Sequence, residues 1–331
     1  MKPIRIAQIG INTYSHGPQI FNTLKEYPDL FEIVGYALPE RERERLPERL
    51  KCFEGYPELT LEEVLSDPTI EAVTVETDEI YLSKYAKMAL QAGKHVQMEK
   101  PGGADPKEFE EMIEAARTSG KVFHIAYMYR YNVTIENLIR RVKAGELGEI
   151  ISVEAQMNCS HRLWVRHWLK EMPGGMTFFL GCHLIDLLLQ IQGTPDRIIP
   201  LNRSTGYEGV ESVDFGMAVF EYKNGVSFFK TTDIERGGFF RRQLVVTGTE
   251  ATVELRPLEV GAEDGQYTEI REVTDPAWHG NAPFERSEVL GRYRRMTEAF
   301  AAYVRGEKEN PYTLDYELEL HRTVLKACGV L

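Results

Sequence analysis

Cysteine is scarce: four in 331 residues, at Cys52, Cys159, Cys182 and Cys328. None forms a C-x-x-C pair, so no disulfide framework is expected and a reducing, cytoplasmic setting fits best. Long apolar runs are lacking too. No window reaches about 18 uncharged apolar residues, which excludes a helical membrane span. The start, Met1-Lys2-Pro3-Ile4-Arg5-Ile6-Ala7, carries too short an apolar run for a secretory signal. Positive charge is in deficit: 39 Lys+Arg stand against 51 Asp+Glu, a formal charge of −12. Nucleic acids and anionic membranes require clustered positive charge and are not expected partners, whereas a small anionic ligand in a local cleft stays compatible. Internal repeats and low-complexity tracts are absent as well.

What is present suits a folded chain. Apolar residues make up 43% and charged residues 27%, and the length suggests two domains at roughly 150 residues each. Strands alternate with helices over residues 1–126. Ile4–Gly10, Phe31–Ala37, Ala72–Val75, Lys94–Met98 and Val122–Ala126 read as strands, with helices over 18–26, 61–65, 81–92 and 106–119 between them. The last of these helices carries Asp105 as cap, Pro106 in its first turn, an apolar face of Phe109, Met112, Ile113 and Ala116, and Gly120 as its stop. Such alternation predicts a parallel sheet covered by helices on both faces. Residues 127–331 change character. Helices are expected over 134–144 and 177–191, and paired strands flank Lys223-Asn224-Gly225 and Gly248, predicting an α+β domain with an antiparallel sheet.

Ligands of an open parallel sheet bind at the carboxyl ends of its strands. The turn after the first strand reads Gly10-Ile11-Asn12-Thr13-Tyr14-Ser15-His16-Gly17, a reduced dinucleotide fingerprint in which Asn12 and Ser15 replace glycines. His16 is a further phosphate candidate there. Leu38 stands where an acidic ribose anchor is expected, and Arg41, Arg43 and Arg45 follow, which tilts the expectation to NADP over NAD. The fourth strand ends in Glu99-Lys100-Pro101-Gly102-Gly103, a place for a lysine to donate a proton or stabilise charge. No C-x-x-C and no i, i+4 histidine pair supports a metal. Tyr127, Tyr129 and Tyr131 alternate as on a strand, with Tyr129 and Trp164 as substrate candidates beside Trp168. The charge run Glu40–Glu48 and the acidic stretch Glu259–Asp264 read as solvated surface.

At these motifs the chain resembles the Gfo/Idh/MocA oxidoreductases. Gly93-Lys94-His95-Val96 with Glu99-Lys100-Pro101 is similar to the family signature, and Tyr129-Arg130-Tyr131-Asn132 to the start of its second domain. Gly145–Ile150 resembles the turn before its large sheet, and Gly174-Gly175 with Gly181-Cys182-His183-Leu184-Ile185-Asp186 its histidine helix. The resemblance implies a Rossmann-type domain, residues 1–126, and a substrate and oligomerisation domain, residues 127–331, with a large, mostly antiparallel open sheet. It implies hydride transfer between NAD or NADP and a carbinol carbon of a sugar, cyclitol or related polyol. It further implies a homodimer or homotetramer formed through that sheet. Lys100, His183 and Asp186 take the proton chemistry. Gly10, Asn12, Thr13, Arg41, Thr77, Glu99 and Lys100 take the cofactor, and Lys100, Tyr129, Trp164 and His183 the substrate. Three departures keep two other readings open, a redox-inactive ligand-binding protein and a non-redox lyase or hydrolase: Phe179 replaces an Asp one turn before His183, Asp78 and Glu79 replace Pro-Asn, and Leu82 replaces a His. Two carboxylates would repel a pyrophosphate unless they turn away or hold the ribose.

Overall fold

The computed structural model describes residues 2–277 and 282–331. The chain divides into two compact units, one of Met1–Met128 with Tyr293–His321, the other of Tyr129–Arg292 with Arg322–Leu331.

In the first unit, β1 (Ile4–Ile9), α1 (Gly17–Lys25), β2 (Phe31–Ala37), the short α2 (Glu42–Arg45), α3 (Leu61–Ser66), β3 (Ala72–Val75), α4 (Leu82–Gln91), β4 (His95–Met98), α5 (Pro106–Ser119) and β5 (Phe123–Ile125) follow one another. The strands form one parallel sheet in the order β2-β1-β3-β4-β5. The chain leaves β1 for one neighbour and returns to the other side for β3. The carboxyl ends of β1 and β3 therefore flank the switch point of the sheet, the crevice where such folds bind ligands. All four residues of β3 are buried, as a strand covered on both faces requires. The α5 signals act as read: the Asp105 side chain accepts from the Lys107 and Glu108 amides at 2.8 and 3.2 Å, Pro106 opens the helix, and Gly120 closes it at φ 61°. A later helix, α9 (Arg294–Val304), brings Phe300 and Ala301 into the core of Ile4, Ile6, Leu24 and Phe31, a return that strand–helix alternation does not announce.

The second unit contains α6 (Val133–Lys143), β6 (Ile150–Gln156), α7 (Leu163–Trp168), α8 (Cys182–Gln192), β7 (Arg197–Pro200), β8 (Phe215–Tyr222), β9 (Gly225–Thr232), β10 (Gln243–Gly248), β11 (Thr252–Leu255), β12 (Val260–Ala262), β13 (Gly265–Tyr267), β14 (Glu269–Val273) and β15 (Glu285–Arg286). Eight of these strands form a sheet in the order β15-β14-β11-β10-β6-β9-β8-β7, antiparallel except where β6 meets β9. Tyr222 pairs with Gly225, so Lys223-Asn224 makes the expected two-residue hairpin. Ala218, Phe220 and Phe229 are buried on one face, against the side that carries α8. The last helix, α10 (Leu314–Cys328), contributes residues to both units.

Three sequence expectations are corrected. Met128–Tyr131 is a 3-10 turn rather than a strand, and Tyr127, Tyr129 and Tyr131 are all buried. Glu42 lies fully buried inside the charge run that read as solvated. Glu259, read as part of a solvated loop, is also buried, because two arginines and a tyrosine hydroxyl close on it. Asp105→Ala is expected to cost about 1 kcal/mol, read as a lower urea midpoint, and Asp105→Asn less, since Asn still accepts from the two amides.

Candidate active site

The site elements are built separately in the two units. In the first, the turn after β1 is a tight construction. Gln8, buried in β1, donates to the carbonyls of Gly10 (2.9 Å) and Gly17 (3.3 Å), tying both ends of the turn together. Gly10 has φ 88°, and a Cβ there would lie 2.6 Å from the Thr77 nitrogen, so the turn and β3 approach as only glycine allows. Asn12 also takes a positive φ, 47°. The Arg49 guanidinium donates to Ile11 O (3.3 Å), Asn12 Oδ1 (3.0 Å) and Ser15 O (2.7 Å). The turn's amides thereby point to the other partners. Ile11 N and Asn12 N donate to Glu42 Oε1 at 3.3 and 3.2 Å, and Thr13 N donates to Asp78 Oδ1 at 2.5 Å. Successive amides converging on carboxylates form an anion cradle, the donor set that suits a phosphate. The residues present therefore fit the pyrophosphate of a dinucleotide, with two side-chain carboxylates standing in for it.

Of the arginines considered for a 2′-phosphate, Arg45 binds Asp78 Oδ2 (2.9 Å) and Arg43 binds Glu58, while Arg41 is exposed at the head of α2. His16 caps α1, and its ring stands 5.4 Å from that of Tyr293.

At the carboxyl end of β4, Glu99 and Lys100 are both buried, with Lys100 Nζ 3.5 Å from Glu99 Oε1. Ser15 Oγ donates to the same Glu99 oxygen at 2.9 Å, linking the β1 turn to the Glu-Lys-Pro segment. Gly103 follows at φ 99°, where a Cβ would meet Ser83 Oγ at 2.5 Å. Glu76 and Glu79 are fully buried beside this pair, and neither carboxyl finds a hydrogen-bond partner in another described residue. Burial pushes Glu79 up to about 8, with Lys100 opposing and Glu99 adding to the rise. Burial and Glu99 push Glu76 well up, and burial also raises Glu99 against the pull of Lys100. Burial lifts Glu42 to about 8 as well, partly offset by the Ile11 amide. Sequence reading missed Glu42 and Glu76. Glu76 had one available signal, an acid at the end of an otherwise apolar strand; Glu42 had none within its charge run.

In the second unit, His183 lies on the first turn of α8, buried, with its ring 5.5 Å from that of Tyr129 and edge-on to it. The Tyr129 hydroxyl donates to Glu259 (2.9 Å). Glu259 also binds Arg242 and lies 3.4 Å from Arg292. Although burial raises it, Arg292 and Arg242 hold Glu259 below the usual carboxylate range. Asp186, three residues after His183, is gripped by Arg130 through contacts of 3.2, 3.0 and 2.9 Å and by Gln190 at 2.9 Å. This buried pair fixes the face of α8 that carries His183. Phe179 packs its ring against Trp168 (5.4 Å) and near His161 (6.2 Å). Trp164 is 48% exposed. Among the described residues, no group of three His, Cys, Asp or Glu is placed to hold a metal, and no helix is long and apolar enough to cross a membrane.

Comparison with known proteins settles the lineage. Residues 4–127 match the model of the oxidoreductase family with an NAD-binding Rossmann fold, and residues 135–254 match the GFO/IDH/MocA C-terminal domain. The chain belongs to the Gfo/Idh/MocA oxidoreductase family. It is 28% identical over 253 residues to D-xylose 1-dehydrogenase (NADP(+)) 2 of Haloferax volcanii, covering 73% of this chain and 72% of that protein. It is 29% identical to the Bacillus subtilis scyllo-inositol 2-dehydrogenase (NADP(+)) IolW, over 62% of this chain and 56% of that one. The chain spans about half the length of the first curated relatives it matches, 54% and 56%. The fold is shared with the 3-ketoreductase KijD10 from Actinomadura kijaniata, whose structure holds NADP and TDP-benzene, at TM-score 0.79 and 17% identity over 97% of this chain and 96% of that one.

The raised carboxyls near Lys100 set a pH dependence. Glu79 has a folded-state pKa near 8 against an ordinary 4.5. Its contribution to stability is therefore full below pH 4.5 and is lost as pH rises through about 8, because only the folded state holds the proton in that window. Glu79→Gln keeps the neutral shape. Its Tm should fall less than that of the unaltered protein between pH 6 and 9 in a thermal melt series; equal slopes would refute the assignment.

Proposed function

We propose that this chain is an NAD(P)-dependent oxidoreductase that moves a hydride between the nicotinamide and the carbinol carbon of a small polyhydroxylated substrate, a sugar or cyclitol. The observation that carries the reading is the first unit's pair of features at the sheet's switch point: an anion cradle after β1 and, joined to it through Ser15, the buried Glu99–Lys100 pair after β4. The relatives named for scyllo-inositol and D-xylose support the substrate class.

When bound, the dinucleotide supplies or accepts the hydride. The amides of Ile11, Asn12 and Thr13, with Gly10 and Thr77 closing the turn, would hold its phosphates, and Glu99 anchors the turn through Ser15. Lys100 presents its ammonium to the substrate oxygen and stabilises negative charge as the proton leaves. His183 exchanges that proton, a task suited to an imidazole near neutral pH. Asp186, engaged by Arg130, positions α8. Tyr129 and Trp164 contact substrate. Arg41 favours NADP through the 2′-phosphate. Met217, Val219 and Phe228, half-buried on the sheet face opposite Ala218, Phe220 and Phe229, support self-association as a homodimer or homotetramer. The four buried, free cysteines support a reducing, cytoplasmic setting.

Lys100→Ala and His183→Ala should each lower kcat on the best polyol of a panel by at least ~100-fold, the scale of a lost acid–base group, while NADPH affinity by nicotinamide fluorescence stays within about twofold. Turnover retained in either variant would remove that residue from the chemistry. Arg41→Ala should weaken NADPH by several-fold and leave NADH unchanged; equal effects on both would exclude a 2′-phosphate contact. A second reading, a redox-inactive binding protein, is favoured by the carboxylates in the cradle. It requires that no polyol of the panel change the absorbance at 340 nm with either dinucleotide; binding of neither NADH nor NADPH at millimolar concentration would sink the oxidoreductase reading.

A further inference from the structure

The charge run after β2 contains one buried member. Arg41, Arg43, Glu44 and Arg45 are exposed, yet Glu42 has no exposed surface and accepts both the Ile11 and Asn12 amides on one oxygen. Its other oxygen, Oε2, has no hydrogen-bond partner among the described residues. A half-satisfied buried carboxylate is a poor occupant of an amide cradle. The amide nitrogen of the Asn12 side chain, on the same buried turn, also lacks an acceptor there. The cradle thus has donor capacity that Glu42 does not use.

The segment bearing Glu42 is built as a strap. Glu40 and Arg41 take consecutive left-handed conformations, φ 58° and 56°, which non-glycine residues hold only when their surroundings impose it. Two sets of contacts impose it here. Glu40 Oε1 accepts from Lys84 Nζ (2.7 Å) and the Tyr85 hydroxyl (2.6 Å), and Arg45 clasps Asp78 at 2.9 Å. Lys84 and Arg45 are 45% and 41% exposed, so these clasps are individually weak. Beyond the strap, Leu46, Cys52 and Phe53 are packed with Ile11, Phe21 and Tyr36 and anchor its far end.

We propose that the Glu42 carboxyl is an internal occupant of the dinucleotide's phosphate seat, and that the strap Glu40–Arg45 must withdraw for a phosphate to take its place. This rests on the cofactor reading given above. A phosphate brings several strong acceptor oxygens where Glu42 brings one used oxygen. The measured affinity is the intrinsic affinity reduced by the fraction of molecules whose strap is open. The strap thereby makes Glu42 a determinant of cofactor affinity although it is no part of the reacting site.

The full chain would be titrated with NADPH, NADH and inorganic pyrophosphate by calorimetry, alongside Glu42→Ala and Glu42→Gln, with thermal melts to verify folding. Glu42→Ala should tighten NADPH and pyrophosphate by about tenfold or more, equivalent to about 1.4 kcal/mol. Glu42→Gln should fall between, since its oxygen still accepts from the amides but its side chain cannot ionise at any pH, and it decides the matter if the alanine variant fails to fold. Hydrogen exchange should show residues 40–45 losing protection as 11–13 gain it on NADPH addition. Unchanged or weaker binding in a folded variant overturns the proposal. Pyrophosphate binding gained by Glu42→Ala, with no dinucleotide bound by any form, would uphold the internal occupant and reject the cofactor reading. Equal NADPH binding by all three forms would do the reverse.

Discussion

A buried backbone N–H must find an acceptor, and the turn after β1 buries several at once. Its positive φ values at Gly10 and Asn12 bring the Ile11 and Asn12 amides onto a single oxygen. The neighbouring structure is organised around that demand. Gln8 fixes the width of the turn, Arg49 takes up its carbonyls, and the aromatic stack of Tyr36 on Phe53, 3.9 Å between centroids, holds the segment that delivers Glu42. Asp78 serves the third amide and is balanced by Arg45. The acidic excess of the chain is thus partly local: acids stand where amides need anions.

The second electrostatic centre follows from the first. Glu76, Glu79 and Glu99 are buried with Lys100. A single ammonium cannot compensate three ionised carboxylates out of water, so protons are retained on some of them. Such a group titrates as a unit rather than as independent residues. The charge available at Lys100 is then set by the whole cluster, and Ser15 connects that cluster to the cradle through Glu99.

The scaffold was largely legible in the sequence, because it rests on local signals. Strand–helix alternation, the Asp105–Pro106 start and Gly120 stop of α5, and the Asn-Gly hairpin each act within a few residues, and each is found as read. What escaped depends on distant partners. Glu42 is buried because amides about thirty residues earlier in the chain donate to it. Glu259 is buried because Arg242, Arg292 and Tyr129 converge on it. A run of alternating charges has the same pattern whether or not one member turns inward. Asp186 was legible as important, but its partner Arg130, 56 positions away, was not.

The departures from the family pattern also acquire a physical meaning. Phe179 cannot orient His183 by hydrogen bonding, as the family's Asp would; its ring packs on Trp168 instead. The orienting task falls to geometry: Arg130 and Asp186 form a buried, multiply bonded pair that fixes α8 three residues beyond His183. A buried pair of this kind contributes little net stability over apolar packing but is costly to break from one side, so it sets orientation more than it adds free energy. Asp78 follows the same logic in the first unit. Repulsion toward a pyrophosphate is largest for an uncompensated carboxylate, and Asp78 is compensated by Arg45 and by the Thr13 amide. Of the two carboxyls in the cradle, Glu42, with an unused oxygen and no ion pair among the described residues, is the less secured. Of the cradle's two acids, the one held more weakly therefore takes two of its three amides, which is the arrangement a displaceable occupant requires.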